Sequence, residues 1–253
     1  MTSARATTHL PRTTAAAVAS ALVALGLLLA CGAASAQGDA ERFATDDPQF
    51  RSFLTLYRNG LGTSSDAREI KKYTADNCAR GRTGGKMKVR VGQDSGNCVY
   101  RSPVFGRDVD VASTVILLSQ TPPELKPHTA LALTVRADRD GGGYRFELLP
   151  NRRSWKLTRA VKDGDGNLQR TVIAEGSDRT IDGTGERNRI RLRADGDRIT
   201  GWLGSTVLVQ YIDPDPDAIE GRATGFGIVS DQAIERAGGL FDSFTLRVPN
   251  PLG

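Results

Sequence analysis

The sequence predicts an all-β fold, a two-sheet antiparallel β-sandwich with at most a short N-terminal helix, and three observations predict it. Eleven short runs alternate apolar and polar residues, the period of a strand with one buried face. Gly, Asp, Asn and Pro punctuate the gaps between the runs. No intervening segment is long and periodic enough to be the crossover helix that parallel strands require.

In chain order, the first element is a leader. Residues 1–36 carry Arg5 and Arg12, no acid, an apolar run from Ala15 to Ala30, and Ala-Ser-Ala immediately before Gln37. The apolar core is too short for a membrane span and a small-residue cleavage site follows it, which reads as an export signal peptide. A second reading competes: "LLAC" at Leu28–Cys31 resembles a bacterial lipobox, in which Cys31 is acylated and begins the mature chain, so that the leader ends at residue 30. Both readings are open, and both place the protein outside the cytoplasm, secreted, periplasmic or anchored to the cell envelope by a lipid, with no transmembrane span.

Residues 37–48 are polar and aperiodic, a linker, and residues 49–253 form the sandwich domain. Removing the 36-residue leader leaves 217 residues with 32 basic and 29 acidic side chains, a net charge of +3. That length suits one domain with a sizeable core, and so small a charge argues against a nucleic-acid partner. "PQFRSFLTLYRNGL" opens the domain with Phe50, Phe53, Leu54 and Tyr57 at helix-like spacing, which predicts a short helix stopped by Gly60 and Gly62. Cys78 and Cys98, an even pair in an exported chain, read as a disulfide closing a loop of about twenty residues and worth about 3 kcal/mol.

The strands follow: "KMKVRVG", "DVASTVILLS", "TALALTVRA", "GGYRFELLP", "SWKLTRAV", "LQRTVIA", "NRIRLRA", "RITGWL", "STVLVQYI", "ATGFGIVS" and "LFDSFTLRV". In the fourth and fifth runs Tyr144, Phe146, Leu148, Trp155 and Leu157 share the core face, while Arg145, Glu147, Lys156 and Thr158 point away. Between the seventh and eighth, Asp195-Gly196 predicts a two-residue hairpin turn. That turn pairs Leu192 with Ile199, Arg193 with Arg198, Arg191 with Thr200 and Arg189 with Trp202. One face of the hairpin is then apolar, and the other carries a ladder of Arg189, Arg191 and Arg193 with Trp202.

In their order these pieces resemble the concanavalin A-like lectin/glucanase superfamily, and within it the laminin-G-like and keto-disaccharide hydrolase-like jelly rolls of secreted bacterial proteins. The resemblance rests on "GGGYRFELLP" followed by "SWKLTR", on "NRIRLRADGDRITGWLG", on "GFGIVS" and on "LFDSFTLRV", and covers most of Lys86 to Val248. It implies two antiparallel sheets, one curved, with sugar bound on the concave face or at its edge.

Catalytic and metal chemistry find little support. The Glu-x-Asp-x-x-Glu strand of the superfamily's glucanases does not occur, and glycoside hydrolysis needs two carboxylates held about 5–10 Å apart. "DGDGN" at Asp163–Asn167 offers calcium-like oxygen spacing, but Ala174 stands where the closing Glu is needed, so a hairpin turn is favoured. His128 lies in a Pro-rich turn without a Gly-x-Ser-x-Gly elbow, and "DGGGY" precedes a strand where a phosphate loop precedes a helix. No cofactor or metal is expected. The leading function is a non-catalytic lectin-like domain for carbohydrate or acidic glycan, such as a cell-envelope polysaccharide, with Trp202 as stacking plate and Arg189, Arg191 and Arg193 as donors. A structural or protein-interaction domain would use the same row as a solvated sheet face, and a glycoside hydrolase-like enzyme would need a carboxylate pair beside it.

The leader makes a direct prediction. Intact mass of material from the native envelope or medium will show either a chain beginning at Gln37 or a lipid-bearing Cys31 at the N-terminus; retention of Met1 would contradict both readings.

Overall fold

The computed structural model describes residues 52–250 apart from 74–76, 94, 140 and 231; the leader with Cys31, the linker and Phe50 lie outside the described residues. Fifteen strands are present among the described residues: β1 (Phe53–Asn59), β2 (Lys71–Lys72), β3 (Cys78–Thr83), β4 (Lys86–Val91), β5 (Asn97–Phe105), β6 (Val109–Leu117), β7 (Ala130–Ala137), β8 (Gly143–Leu149), β9 (Ser154–Lys162), β10 (Leu168–Ser177), β11 (Asn188–Asp195), β12 (Arg198–Leu203), β13 (Thr206–Ile212), β14 (Ala223–Val229) and β15 (Gly238–Pro249). A six-residue α-helix, α1 (Ser64–Glu69), follows β1. No helix among the described residues is long and apolar enough to cross a membrane.

The strands form two antiparallel sheets. One runs β13-β12-β11-β6-β15-β4-β3 with β1 paired to β15, and the other β10-β9-β8-β7-β14-β5-β2. All eleven alternating runs are strands, and their apolar sides meet between the sheets. Val111, Val115 and Leu117 of β6 and Ile190 and Leu192 of β11 face Leu131, Leu133, Val135, Tyr144, Phe146 and Leu148 of β7 and β8. At the centre the Phe226 ring of β14 meets Phe241 and Phe244 of β15 at centroid separations of 4.8 and 5.2 Å.

The helix expected around Phe53–Tyr57 is instead strand β1. It pairs with the C-terminal half of β15, Leu54 opposite Val248 and Arg58 opposite Thr245, with a bulge between Thr55 and Tyr57. The bulge inserts one residue into a period of two, so Phe53 and Tyr57, four apart, point to opposite faces and imitate a helical spacing. The physical driver is β15: β4 pairs only with its first residues, Gly238 to Phe241, leaving an open edge that β1 covers.

Two devices tie the sheets together. The predicted disulfide joins Cys78 of β3 to Cys98 of β5, one in each sheet, with Cα atoms 5.6 Å apart. At the opposite end of the strands the buried Asp213, just after β13, accepts hydrogen bonds from Tyr144 Oη of β8 and from Arg159 Nε of β9, the latter at 2.7 Å. Burial alone would raise the Asp213 pKa, but the bonds from Tyr144, the Asp215 amide and Arg159 outweigh it and hold the carboxyl below its ordinary 3.8. Arg136, fully buried in β7, makes a parallel link, donating from Nε to the Arg107 carbonyl at 2.9 Å and from Nη2 to Asp108 at 3.0 Å.

A depressed carboxylate pKa stabilises the fold above the unfolded value, and that stabilisation is lost as the pH falls through the folded value. Asp213→Asn is therefore expected to cost about 3 kcal/mol at pH 7, because it leaves Arg159 without its counter-charge. In urea melts the gap between variant and parent narrows only below about pH 4; a gap independent of pH would contradict this assignment.

Candidate functional site

The β11–β12 hairpin turns at Gly196-Asp197, one residue later than expected: Asp195 pairs with Arg198, and Gly196 takes φ +57° at the first central position, where a type II′ turn places glycine. Moving the turn by one residue preserves the faces and changes the partners. Arg191 stands opposite Trp202 and Arg193 opposite Thr200, while Arg189 faces Thr114 of β6. The expected pairing of Arg189 with Trp202 is thus corrected, and the three arginines and Trp202 do share the outward face of the larger sheet.

On that face the charges are already answered. Asp110 of β6, its side chain 1% exposed, accepts from Arg191 through Nε at 2.7 Å and through Nη2, and from Arg193 through Nη2 at 2.9 Å. The Arg191 guanidinium lies 4.4 Å from the centroid of Trp202, and that of Arg193 lies 4.3 Å from Phe53 and 5.5 Å from Trp202. Trp202 is only 8% exposed. Burial pushes the Arg193 pKa down and Arg191 adds to this, against the pull of Asp110. Like charges on adjacent positions are tolerated here because a carboxylate lies between them and aromatic faces beside them. Arg189 is the exposed member of the ladder.

The outward face of the smaller sheet is built differently. One row across it reads Thr158 of β9, Arg145 of β8, Thr134 of β7, Gly225 of β14 and Arg101 of β5. The next reads Lys156, Glu147, Ala132, Gly227 and Val99. Over β7 and β14 the floor is thus small side chains or none, and Ala130, Ala132 and Val229 join Val99 and Leu149 in an apolar cluster against Tyr73. The two glycines are required by a close approach of strands: a Cβ at Gly227 would lie 2.7 Å from Val99 Cα, and one at Gly225 would strike the Tyr100 carbonyl. The result is a trough with charged and hydroxylated side chains along the β8–β9 side.

Arg145 lies across this trough. Its Nη1 donates to Asn97 Oδ1 of β5 at 3.4 Å and stands 3.7 Å from Glu147 Oε1. To reach β5 from β8 the side chain must pass over β7 and β14, which the Ala132 and Gly227 floor permits. Both contacts use Nη1, and both are long; Nε, on the other side of the fork, is buried without an acceptor. The hydroxyls of its row neighbours, Thr134 Oγ1 and Thr158 Oγ1, are likewise buried without partners. Burial, and after it the charge of Arg170, push the Arg145 pKa down to about 10 against the pull of Glu147. Two hollows open on the face. One, of about 30 Å³, lies among Tyr73, Thr134, Arg145, Arg170 and the Gly141–Gly143 loop, and the other, of about 40 Å³, among His128, Glu147, Arg152, Lys156 and Ser230. Each can take a substituent and neither a whole sugar ring, so a ligand would lie along the face and dip single groups into them.

The remaining sequence candidates take other roles. "DGDGN" is a hairpin turn in which Asp163 Oδ1 accepts from the amides of Asp165 and Asn167 at 3.0 and 2.8 Å. His128 ends a short 3-10 turn on the rim of the second hollow. No group of His, Cys, Asp or Glu among the described residues could hold a metal ion. Sequence reasoning placed Arg145, Glu147, Lys156 and Thr158 on the outward face without assigning them a role. The signal that could have found the trough was the run of small residues at alternate positions, Ala130, Ala132 and Thr134 in one strand and Gly225 and Gly227 in another.

No family model and no curated protein matches the chain. Solved structures do share its fold. A CBM66 carbohydrate-binding module from Bacillus subtilis is 19% identical, with a TM-score of 0.50 over 69% of this chain and 92% of that one. A Bacillus subtilis protein of unknown function with a galectin-like fold is 14% identical, with a TM-score of 0.52 over 79% of this chain and 100% of that one. The kappa-carrageenase of Pseudoalteromonas carrageenovora, solved with an oligotetrasaccharide of kappa-carrageenan, is 10% identical, with a TM-score of 0.54 over 81% and 98%. The likeness is one of fold, the two-sheet antiparallel sandwich that the sequence predicts.

The closed cluster on the larger sheet predicts that Trp202→Ala lowers stability by about 3 kcal/mol, the range for removing a buried aromatic. Thermal unfolding would register a drop of about 6–12 °C. A loss below about 1 kcal/mol would contradict the packing of Trp202 between Arg191 and Arg193.

Proposed function

We propose that the chain is an exported, non-catalytic glycan-binding domain whose ligand lies in the trough of the smaller sheet. The observation that carries this reading is the row Thr158–Arg145–Thr134: three adjacent side chains on three strands, each with a buried polar atom that no group among the described residues satisfies. Such an atom costs about 1–3 kcal/mol, and since all three are shielded from water in the unliganded fold, a sugar would meet them as the Arg145 side chain lifts from the floor. Exposed sheet faces with apolar floors and a few convergent donors are the usual form of a sugar-binding surface, and the fold's solved neighbours include a carbohydrate-binding module and a carrageenase. Export is supported by the leader. A non-catalytic role is supported by the pairing of the carboxylates on the trough: Glu147 lies beside Arg145 and Glu175 beside Lys156, which stands between the two acids, where glycosidase chemistry needs a carboxylate pair facing the substrate. On this reading Arg191, Arg193 and Trp202 are the ionic and aromatic packing of the opposite face, with Arg189 at its exposed end.

A glycan array followed by calorimetry tests the proposal. Thr134→Val with Thr158→Val should weaken binding of the best glycan about tenfold or more, since each lost hydrogen bond is worth about 1 kcal/mol. The same double variant should melt no lower than the parent, because it removes hydroxyls that have no partner in the folded protein. Unchanged affinity, or no glycan bound at all, would overturn the assignment.

A further inference from the structure

Resting on the trough as the binding surface, we infer that its ligand is an acidic sugar, whose anionic group, a uronate carboxylate or a sulfate ester, sits against the Nε edge of Arg145 between Thr134 and Thr158. A guanidinium presents two parallel donors along that edge, the geometry that takes an oxyanion in bidentate fashion. In this protein the opposite side of the fork is the engaged one, since Nη1 serves both Asn97 and Glu147. The charge balance points the same way. Arg145 has 12% of its side chain exposed, and among the described residues the carboxylate it pairs with, Glu147, is 3.7 Å away, beyond hydrogen-bond distance. Glu147 also stands opposite Lys156 across the β8–β9 pair. Arg170 lines the same hollow as Arg145, and Arg101 ends the row on the far side of the floor. Arg101, Arg145, Lys156 and Arg170 therefore surround a floor whose acids are Glu147 and, 3.9 Å from Lys156 on its β10 side, Glu175, which leaves a surplus of positive charge that a neutral sugar would not answer.

The contrast with the other sheet sharpens the point. Arg191 and Arg193 share the buried carboxylate of Asp110 at hydrogen-bond distances. Arg145 is as deeply placed as Arg193, each with 12% side-chain exposure, yet among the described residues no carboxylate reaches it at such a distance. A cation withdrawn from water and left with a long ion pair is costly unless a ligand completes its shell.

Calorimetry on the full protein tests this with paired probes: tri-galacturonate against its carboxyl-reduced, neutral counterpart, and a kappa-carrageenan tetrasaccharide against its desulfated form. The inference expects one acidic member to bind at least about tenfold more tightly than its neutral twin, and which pair responds tells carboxylate from sulfate. Arg145→Lys, which keeps the charge and removes the fork, should lose most of that preference. If neutral and acidic members of both pairs bind equally, the anion site is overturned while the trough stands. If the array finds glycans that bind and the Thr134 and Thr158 variants leave them unaffected, the trough itself fails and this inference with it.

Discussion

The close approach of β14 to β5 at Gly225 and Gly227 is the constraint on which the site depends. Side chains at either position would collide with the backbone of the neighbouring strand, so the outward face of β14 is bare at its centre. The same strand turns Phe226 and Ile228 inward, where Phe226 packs against Phe241 and Phe244 of the other sheet. One strand thus fills the core on one side and empties the surface on the other. With Ala132 beside Gly227 the floor is low enough for Arg145 to lie across it, and that placement withdraws Nε from water without giving it an acceptor.

The two outward faces resolve the same electrostatic problem in opposite ways. On the larger sheet two arginines are drawn together by Asp110, and Trp202 and Phe53 cover what the carboxylate leaves open. The cations there are spent on the fold. On the smaller sheet Arg145 meets an amide oxygen and a distant carboxylate, both through one nitrogen, and the hydroxyls on either side of it are unmatched. Buried polar groups in native proteins are nearly always paired, and the proposed ligand would supply the partners that this row lacks.

Much of the fold was legible because side-chain alternation is a local property: all eleven alternating runs are strands, and Tyr144, Phe146, Leu148, Trp155 and Leu157 face the core as their parity requires. What escaped depends on partners distant in the chain. Strand β1 read as a helix because its bulge disguises its period, and only the open edge of β15, nearly two hundred residues later, makes it a strand. Strand β3 is exposed along nearly its whole length and carries no apolar alternation, so nothing in "CARGRT" announces it. In the hairpin the parity was right and the turn one residue off, which kept the arginine face and misassigned Trp202's neighbour. The site itself was hidden because Asp110, which closes the ladder, and Asn97, which holds Arg145, lie 81 and 48 residues from their partners.

The central claim is that the ligand occupies the smaller sheet. Amide chemical-shift mapping during titration with a glycan selected on the array tests it most directly, because both faces report in one spectrum. The account predicts shifts concentrated at Ala132, Thr134, Arg145, Gly225 and Gly227, with Arg189, Arg191 and Trp202 unmoved. Shifts centred on Arg189, Arg191 and Trp202, with the trough silent, would contradict it.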